Sequence, residues 1–258
     1  MAGELLLDDV SVVYGRGARR STAVSGATLR VGAGEVVGLV GVSGCGKSTL
    51  AKVATGLVDI DSGTASFDGV EIVRNGLRKR APRLLRMQMV FQNPYASLNP
   101  RRRVGSQLED GRAINPDGAP PVAELLARVG LPADVAGRYP HEFSGGQRQR
   151  IAIARVMATG PDLLIGDEPI ASLDASLQAQ IATLMREVAL TSGASMLFIS
   201  HDLSVVRLIA DRVVVMHAGR VVEEGATEQV WTAPQSEHTQ RLLAAIPVAD
   251  GLGRIPQV

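Results

Sequence analysis

The segment GVSGCGKS, residues 41–48, constrains the fold of this chain more than any other feature of the sequence. It follows the apolar run EVVGLVG and leads into KSTLAKVATGL, which predicts a helix closing near Gly56. A strand, a glycine-rich turn and a helix in this order begin a βα unit. Glycines let successive N–H groups converge, and the helix start adds its positive end, which favours phosphate. The sequence therefore predicts an α/β fold with a phosphate-binding turn.

The pattern G-x-x-x-x-G-K-[ST] assigns a task to two side chains of this turn. Lys47 can reach the β- and γ-phosphates of a nucleoside triphosphate, and the Ser48 hydroxyl can bind Mg²⁺. A glycine-rich turn can arise by chance, but its place between a strand and a helix favours phosphate binding. The other predicted ATP contacts in the segment are Gly41, Ser43, Gly44, Cys45, Gly46 and Thr49.

The segment LLIGDE is an apolar strand pattern that ends in Asp167 and Glu168. Ligands bind α/β sheets at the carboxyl ends of the strands. We expect Asp167 to hold Mg²⁺, directly or through water, and Glu168 to polarise the attacking water as general base. Alone, the pair could equally be a solvated acidic turn, because Asp and Glu are usually exposed. The phosphate-binding turn upstream favours the catalytic interpretation.

The rest of the chain predicts a sheet with an inserted helical segment. The β-rich runs 5–14 and 23–31 indicate an antiparallel edge sheet, and 213–223 indicates a closing hairpin. Residues 93–137 contain Gly/Pro-rich stretches and the helical run VAELLARVGL, which indicates an insertion. After it, the buried-strand patterns DLLIGDE and SMLFISHD flank an amphipathic helix at 177–191.

Composition restricts the function. The balance of 27 Lys+Arg against 26 Asp+Glu gives no reason to expect a nucleic-acid partner. Cys45 is the single cysteine, which excludes an internal disulfide and is typical of a reducing compartment. The N-terminus has no signal-peptide pattern, and no apolar stretch of about 18 residues occurs. We therefore expect a cytosolic chain that reaches a membrane only through a partner.

A third motif, FSGGQRQR at residues 143–150, is similar to the signature sequence of the nucleotide-binding domains of ABC transporters. Further landmarks of that family appear in the expected order along the chain. Tyr14 stands where an aromatic residue stacks on adenine, and Gln92 stands at the Q-loop, which contacts the metal. Residues 172–174 stand at the D-loop, and His201 stands at the position of the switch histidine. The resemblance spans nearly the whole chain. Without the other motifs, Tyr14, Gln92 and His201 would be ordinary strand or surface residues.

The resemblance implies a P-loop NTPase core with a mostly parallel sheet, an N-terminal antiparallel β subdomain and an inserted α-helical subdomain. We place the ATPase core at 1–92 and 160–235, the helical subdomain with the signature at 93–159, and a C-terminal extension at 236–258. The cofactors it implies are ATP and Mg²⁺.

The resemblance also implies that two such domains close head to tail around two ATP molecules. Contacts to the partner's ATP would come from Ser144, Gly145, Gly146, Gln147 and Asp174. Taken alone, SGGQ could be a helix cap, because Ser is a preferred N-cap and Gln at N3 resembles a capping box. The two roles are compatible.

The segments VFQNPYASLNPRRRVG and HTQRLLAAIP resemble the ATPases of dipeptide, oligopeptide and nickel importers. This implies a second, related ATPase subunit, permease subunits, an extracytoplasmic solute-binding protein, and a place at the cytoplasmic face of the cell membrane. The chain departs from the family pattern at Ile170 and Ala171, and at His238, which replaces an aromatic residue. It also departs in the segment VGSQLEDGRAI, which would face the permease. With only Cys45, it cannot carry the cysteine-rich iron–sulfur segment of some relatives.

Three alternatives stay open. A soluble ABC ATPase of DNA repair or translation usually has two ATPase modules or long coiled coils, which this chain lacks. A non-hydrolytic regulatory module would not need Glu168 and His201. An importer of another cargo, such as nickel or amino acids, would keep every catalytic motif and differ in its permease and binding protein.

Overall fold

The computed structural model describes residues 3–15, 17, 20–74, 76, 80–91, 97–115, 118–171 and 173–246. Its strands are β1 (Leu5–Tyr14), β2 (Ser21–Val31), β3 (Val36–Gly41), β4 (Ser62–Phe67), β5 (Val70–Glu71), β6 (Met87–Phe91), β7 (Leu163–Asp167), β8 (Ser195–Ile199), β9 (Arg212–His217) and β10 (Arg220–Ala226). Its α-helices are α1 (Lys47–Ala54), α2 (Val104–Arg112), α3 (Val122–Arg128), α4 (Gly145–Met157), α5 (Ala175–Thr191), α6 (Leu203–Ile209), α7 (Thr227–Thr232) and α8 (Glu237–Ala244).

The smaller sheet is antiparallel, with strand order β2-β1-β4-β5. Leu5 pairs with Val31 on one side and with Phe67 on the other, so the predicted pairing of the first two strands is confirmed. The strand β4 was not predicted. Its residue Gly63 has φ +87°, and a Cβ there would lie 2.4 Å from the carbonyl oxygen of Asp9, so the strands approach where only glycine fits.

The larger sheet has the order β10-β9-β3-β8-β7-β6. Its strands are parallel except β10, which forms the predicted hairpin with β9 and extends it to Ala226. Parallel neighbours align their carboxyl ends at one edge, so the turns after β3, β7 and β8 meet there. Lys47, Glu168 and His201, three of the four residues predicted for catalysis, follow these strands.

Two hydrophobic clusters lie on opposite faces of the larger sheet. Val36 and Val40 of β3 belong to one cluster, and Val37 and Leu39 belong to the other. This is the period of two expected of a strand buried on both faces. The first cluster packs against helices α2 to α7, and the second against α1 and the smaller sheet. Burial of each large apolar side chain contributes about 1.5–3 kcal/mol.

The predicted helices are present, with adjusted ends. The helix expected at 177–191 begins two residues earlier, at Ala175, because the side chain of Asp174 caps it by accepting from the Leu177 N–H at 3.0 Å. The helix in VAELLARVGL is α3, and it packs with α2 and α4. In the part of the chain that the structure describes, no helix has the length and apolar character needed to span a membrane.

Candidate functional site

The phosphate loop, residues 41–48, connects β3 to α1, and two of its glycines are required by close backbone contacts. At Gly41, with φ +151°, a Cβ would lie 2.2 Å from the Met216 carbonyl oxygen. At Gly46, with φ +111°, a Cβ would lie 2.5 Å from the carbonyl oxygen of Ala23 in β2. Residues with a side chain cannot adopt this path without displacing β2 or β9. Both sheets therefore shape the loop.

Lys47 is the first residue of α1, and its side chain is only 4% exposed. Its ammonium nitrogen donates to the carbonyl oxygens of Gly41 at 2.8 Å and Val42 at 3.0 Å. These bonds hold a buried positive charge across the loop that begins at Gly41. A buried ammonium needs such partners, and it attracts an anion strongly because little water screens it.

A cleft of about 180 Å³ opens beside this lysine. It is lined by Ala23, Ser43, Gly44, Gly46, Lys47, Ser48, Thr49 and Glu168. Six of these eight residues were predicted to contact ATP from the sequence pattern alone. Gly41 and Cys45 are not among the lining residues, and they contribute through their backbone: Gly41 accepts from Lys47, and Cys45 accepts from the Gly219 N–H at 3.0 Å.

Ser48 and Asp167 form the part of the site suited to a metal. The Ser48 hydroxyl donates to Oδ1 of Asp167 at 2.8 Å, although the residues are 119 positions apart. Burial raises the pKa of the Asp167 carboxyl, as does the neighbouring charge of Glu168, while the bond from Ser48 acts in the opposite direction. A hydroxyl and a carboxylate side by side are the oxygen ligands that Mg²⁺ takes in nucleotide sites. These residues fit the ion.

Glu168 follows β7 and lines the cleft with its side chain. Its Oε2 lies 3.1 Å from Nδ1 of His201, which follows β8. The backbone of Glu168 has φ +47°, an uncommon value for a residue with a side chain, and its N–H is held by the Ile199 carbonyl at 3.0 Å. Local strain of this kind persists where surrounding contacts enforce it, and such positions cluster at functional sites.

The signature segment forms the start of α4. Ser144 is the N-cap: its hydroxyl accepts from the Gln147 N–H at 3.3 Å, and Oε1 of Gln147 accepts from the Ser144 N–H at 3.0 Å. This is the capping box expected from SGGQ. Ser144, Gly145 and Gln147 are exposed, whereas Gly146 is buried, and a Cβ there would lie 2.5 Å from Leu177 of α5. The exposed residues lie outside the cleft formed by their own chain.

Two further predicted residues, Asp174 and Tyr14, are not among the described residues that line the cleft. Asp174 caps α5 and is exposed, and its pKa is lowered by the Leu177 N–H and the Ser176 hydroxyl. Tyr14 ends β1 with 43% of its surface exposed, and it is not among the described residues that line the cleft. Gln92 and Ser172 lie outside the described residues.

One feature of the site, the place of Ala23, was missing from the sequence interpretation. Ala23 lines the cleft because β2 passes over Gly46, and nothing in the residues around Ala23 signals this. Ile170, a departure from the family pattern, is 1% exposed and packs in the main core. Its side chain therefore serves packing.

Comparison with known proteins agrees with this geometry. The family model described as ABC transporter matches residues 24–171. The Haemophilus influenzae protein named dipeptide transport ATP-binding protein DppF is 45% identical over 230 residues, which cover 87% of this chain and 70% of that protein.

Solved structures lead to the same family. The structure of cbiO1 from Clostridium perfringens, part of the ABC transporter complex cbiONQ, has a TM-score of 0.77 at 30% identity, over 89% of this chain and 90% of that one. The dimeric ATP-binding cassette MJ0796 bound to ADP and Pi has a TM-score of 0.73 at 26% identity, over 86% and 98%. With a phosphate loop, a capped signature helix, and a family model that covers more than half of its length, this chain belongs to the ABC transporter family of ATP-binding cassettes.

Proposed function

We propose that this chain is the ATP-hydrolysing subunit of a peptide importer. One observation carries the proposal: Lys47, Ser48 and Glu168 line the same cleft, where Ser48 is bonded to Asp167 and Glu168 to His201. A buried cation, a metal-binding pair and a general base at one sheet edge are the parts that phosphoryl transfer to water requires.

ATP binding would use the backbone of the phosphate loop. The N–H groups after Ser43 and the ammonium of Lys47 meet the phosphate oxygens, and the start of α1 adds the positive end of its dipole. Ser48 and Asp167 would hold Mg²⁺, whose charge offsets the negative charge of the phosphates when it is bound. Tyr14 and Gln92 would contact the adenine and the metal, respectively.

Hydrolysis would use the carboxylate of Glu168. It accepts a proton from the attacking water, while Nδ1–H of His201 donates to Oε2 and fixes the carboxylate towards the cleft. The fixed backbone at Glu168 reduces the reorganisation needed during the reaction. We assign catalysis to Glu168, His201, Lys47 and Gln92.

The second ATPase subunit would complete the site from outside. Ser144, Gly145 and Gln147 are exposed at a helix start, which suits them to a phosphate held by another subunit. The dimeric ADP-bound relative supports this arrangement. The bound ATP would then be shared between the phosphate loop of one subunit and the signature of the other, with Asp174 at the same interface.

A groove on the helical side supports permease docking. It has a volume of about 890 Å³ and lies between β6, residues 97–102, α2 and α4. Gln107, which is 4% exposed, holds the 97–102 loop by accepting from the Asn99 N–H at 2.8 Å and donating to the carbonyls of Asn99 at 3.1 Å and Arg102 at 3.0 Å. A concave surface that includes Gln88 of β6 would let a permease segment sense closure of the ATP site. The helical subdomain, 93–159, would be the part that meets the membrane subunits at the cytoplasmic face.

The cargo assignment to peptides rests on relatives. DppF is named for dipeptide transport, and the Q-loop region and tail of this chain resemble the same group of importers. Nickel or amino acids are the second candidate cargo class, because the ATPase motifs do not differ between them.

Phosphate release from Mg·ATP by the purified full-length chain tests the enzymatic part. Lys47→Ala is expected to lose at least about tenfold in ATP affinity, because a buried charge contact to phosphate is removed. Arg74→Ala, which removes an exposed cation paired with Asp59, is the control and should behave like wild type. Unchanged ATP affinity in Lys47→Ala would count against the proposed phosphate contact.

Transport tests the cargo. The chain is reconstituted with its permease subunits, second ATPase and binding protein, and uptake of labelled dipeptides, longer peptides, amino acids and nickel is compared. Peptide uptake that depends on ATP and stops with Lys47→Ala is expected. ATP-dependent uptake of nickel or an amino acid alone would replace the peptide assignment. A chain that hydrolyses ATP but never binds permease-containing membranes would favour a soluble ABC ATPase.

A further inference from the structure

The C-terminal helix α8 lies across the edge of the sheet where the ATPase residues gather. Its entry is fixed by Glu223 of β10, whose carboxylate accepts from the N–H groups of Gln235 at 2.8 Å and Ser236 at 2.9 Å. The helix is about 12 Å long, at 1.5 Å per residue. Because β3 lies between β9 and β8, these two strands are two strand spacings apart, which is about 10 Å. The helix is thus long enough to reach the ends of both strands.

The first turn of α8 contacts the end of β9. The ring of His238 stacks on the ring of His217, with centroids 3.5 Å apart and planes 15° apart. Two residues after His217, the N–H of Gly219 donates to the carbonyl of Cys45 in the phosphate loop at 3.0 Å. The carbonyl of the same glycine accepts from the Ser25 N–H at 2.8 Å. The stack therefore supports a turn that is bonded directly to the phosphate loop.

The last turn of α8 reaches the other half of the site. Leu242, Ala245 and Ile246 line a cavity of about 450 Å³ together with His201 and Gln178. Leu242 also packs against the main core. His238, Leu242 and Ala245 are four and three residues apart, so they share one face of the helix. Glu237 and Arg241 form an exposed ion pair on the flank of this face.

We propose that α8 is a positioning element of the ATPase centre, in which His238 supports the phosphate loop through His217 and Leu242 supports the loop that carries His201. This rests on the proposed function for its effect on hydrolysis. The two ends of one rigid helix act on different steps: the first turn affects nucleotide binding, and the last turn affects the chemical step.

The test uses the full-length chain with substitutions at each end of α8. His238→Ala removes the stack, and His238→Phe restores a stacking ring. Leu242→Ala shortens a side chain that lines the cavity beside His201, and Leu242→Met restores most of its volume. Arg241→Ala, at an exposed position, is the control. The dissociation constant for ATP and kcat for phosphate release are measured separately, with thermal unfolding recorded for each variant.

We expect His238→Ala to raise the ATP dissociation constant about threefold to tenfold with a smaller change in kcat, and Leu242→Ala to lower kcat about threefold to tenfold with little change in affinity. The conservative variants should recover to within about twofold of wild type. A helix that served stability alone would lower the melting temperature without separating the two constants. Equal changes in both constants at both positions, or no change at either, would overturn the proposal.

The outcomes distinguish this inference from the proposed function. If wild type releases no more phosphate than Lys47→Ala, the ATPase assignment fails, while the affinity of His238→Ala still decides the role of the stack. If wild type hydrolyses ATP and the α8 variants match it, only the positioning role fails. Should an alanine variant not fold, His238→Gln and Leu242→Val test the same two contacts with smaller losses.

Discussion

Nδ1 of His201 lies 3.1 Å from Oε2 of Glu168, and the bond joins the ends of two neighbouring parallel strands. The histidine side chain is 54% exposed, whereas that of the glutamate is 21% exposed, so the histidine is the more accessible partner of the two. The donor at Nδ1 implies the tautomer that leaves Nε2 as an acceptor when the ring is neutral. The imidazole therefore orients the carboxylate and leaves its second nitrogen free to meet substrate or partner.

His201→Ala is expected to lower kcat for ATP hydrolysis about tenfold to a hundredfold, because the carboxylate loses its orienting donor. The ATP dissociation constant should change less than about threefold, since the phosphate loop is untouched. His201→Gln keeps an N–H donor near the same place and should recover part of the loss. Phosphate release and equilibrium ATP binding are the measurements. A large loss of affinity with unchanged kcat would contradict the orienting role.

Glu168→Gln tests the general base directly. The amide keeps the shape of the side chain but cannot accept a proton, so hydrolysis should fall by at least about a hundredfold while ATP still binds. With turnover blocked, ATP should hold two chains together, and the dimer should appear on a sizing column. Glu187→Gln, an exposed acid on α5, is the matched control and should stay monomeric after turnover. Hydrolysis at the wild-type rate in Glu168→Gln would remove the residue from this role.

The sequence predicted those parts of the site whose cooperating residues are neighbours in the chain. Residues 41–48 form the phosphate loop, and SGGQ forms a capping box, because the loop and the cap use neighbouring residues. Strand ends are predictable as well, since parallel strands finish at one edge. The bond between Ser48 and Asp167, 119 residues apart, follows from that rule.

The parts that could not be predicted depend on contacts distant in sequence. Ala23 enters the cleft because β2 crosses Gly46. The strand β4 was missed because only three of its six residues are at least partly buried, so its sequence shows little alternation of apolar and polar residues. The stack of His217 on His238 needs the path of the chain after β10. The positive φ of Glu168 accompanies the bond from its N–H to the carbonyl of Ile199 on the neighbouring strand, and no local sequence propensity signals either.

Asp167→Asn is expected to weaken metal binding without lowering the stability of the metal-free protein. Because burial raises the pKa of Asp167, its charged form is disfavoured in the folded chain, so this group stabilises the fold more as pH falls through that raised pKa. The neutral amide should therefore leave the metal-free protein as stable as wild type or more so at neutral pH. The increase in melting temperature on adding Mg·ATP should shrink strongly, because a metal ligand is lost.

The same pKa shift predicts the pH dependence of metal binding. In wild type, protonation of Asp167 competes with binding of the metal. Because the pKa of Asp167 is raised, the Mg²⁺-dependent ATP affinity should begin to weaken at a higher pH, as the pH is lowered, than it would with an aspartate of ordinary pKa. Calorimetric titrations of ATP with and without Mg²⁺ across acidic to neutral pH measure this. In Asp167→Asn the magnesium-dependent part should be small and nearly independent of pH. A wild-type pH profile in that variant would exclude Asp167 as the titrating ligand.

Ser144 has two candidate roles, a helix cap and a contact to ATP held by the partner subunit, and two substitutions distinguish them. Ser144→Ala should cost about 1 kcal/mol of stability, because the Gln147 N–H loses its acceptor. Ser144→Asn keeps a capping oxygen and should unfold close to the wild-type temperature. Gln147→Ala removes the reciprocal arm of the capping box and shows how much that bond contributes to thermal stability.

The decisive measurement is made in the Glu168→Gln background, where ATP should trap the dimer. If the Ser144 hydroxyl contacts the partner's ATP, both Ser144→Ala and Ser144→Asn should weaken the ATP-dependent dimer at least about tenfold, although only the first loses the cap. Binding of ATP to the single chain should be unchanged in both, because Ser144 lies outside the cleft of its own chain. Full dimer formation by Ser144→Asn would assign the residue to capping alone, because the asparagine would then replace everything the serine does.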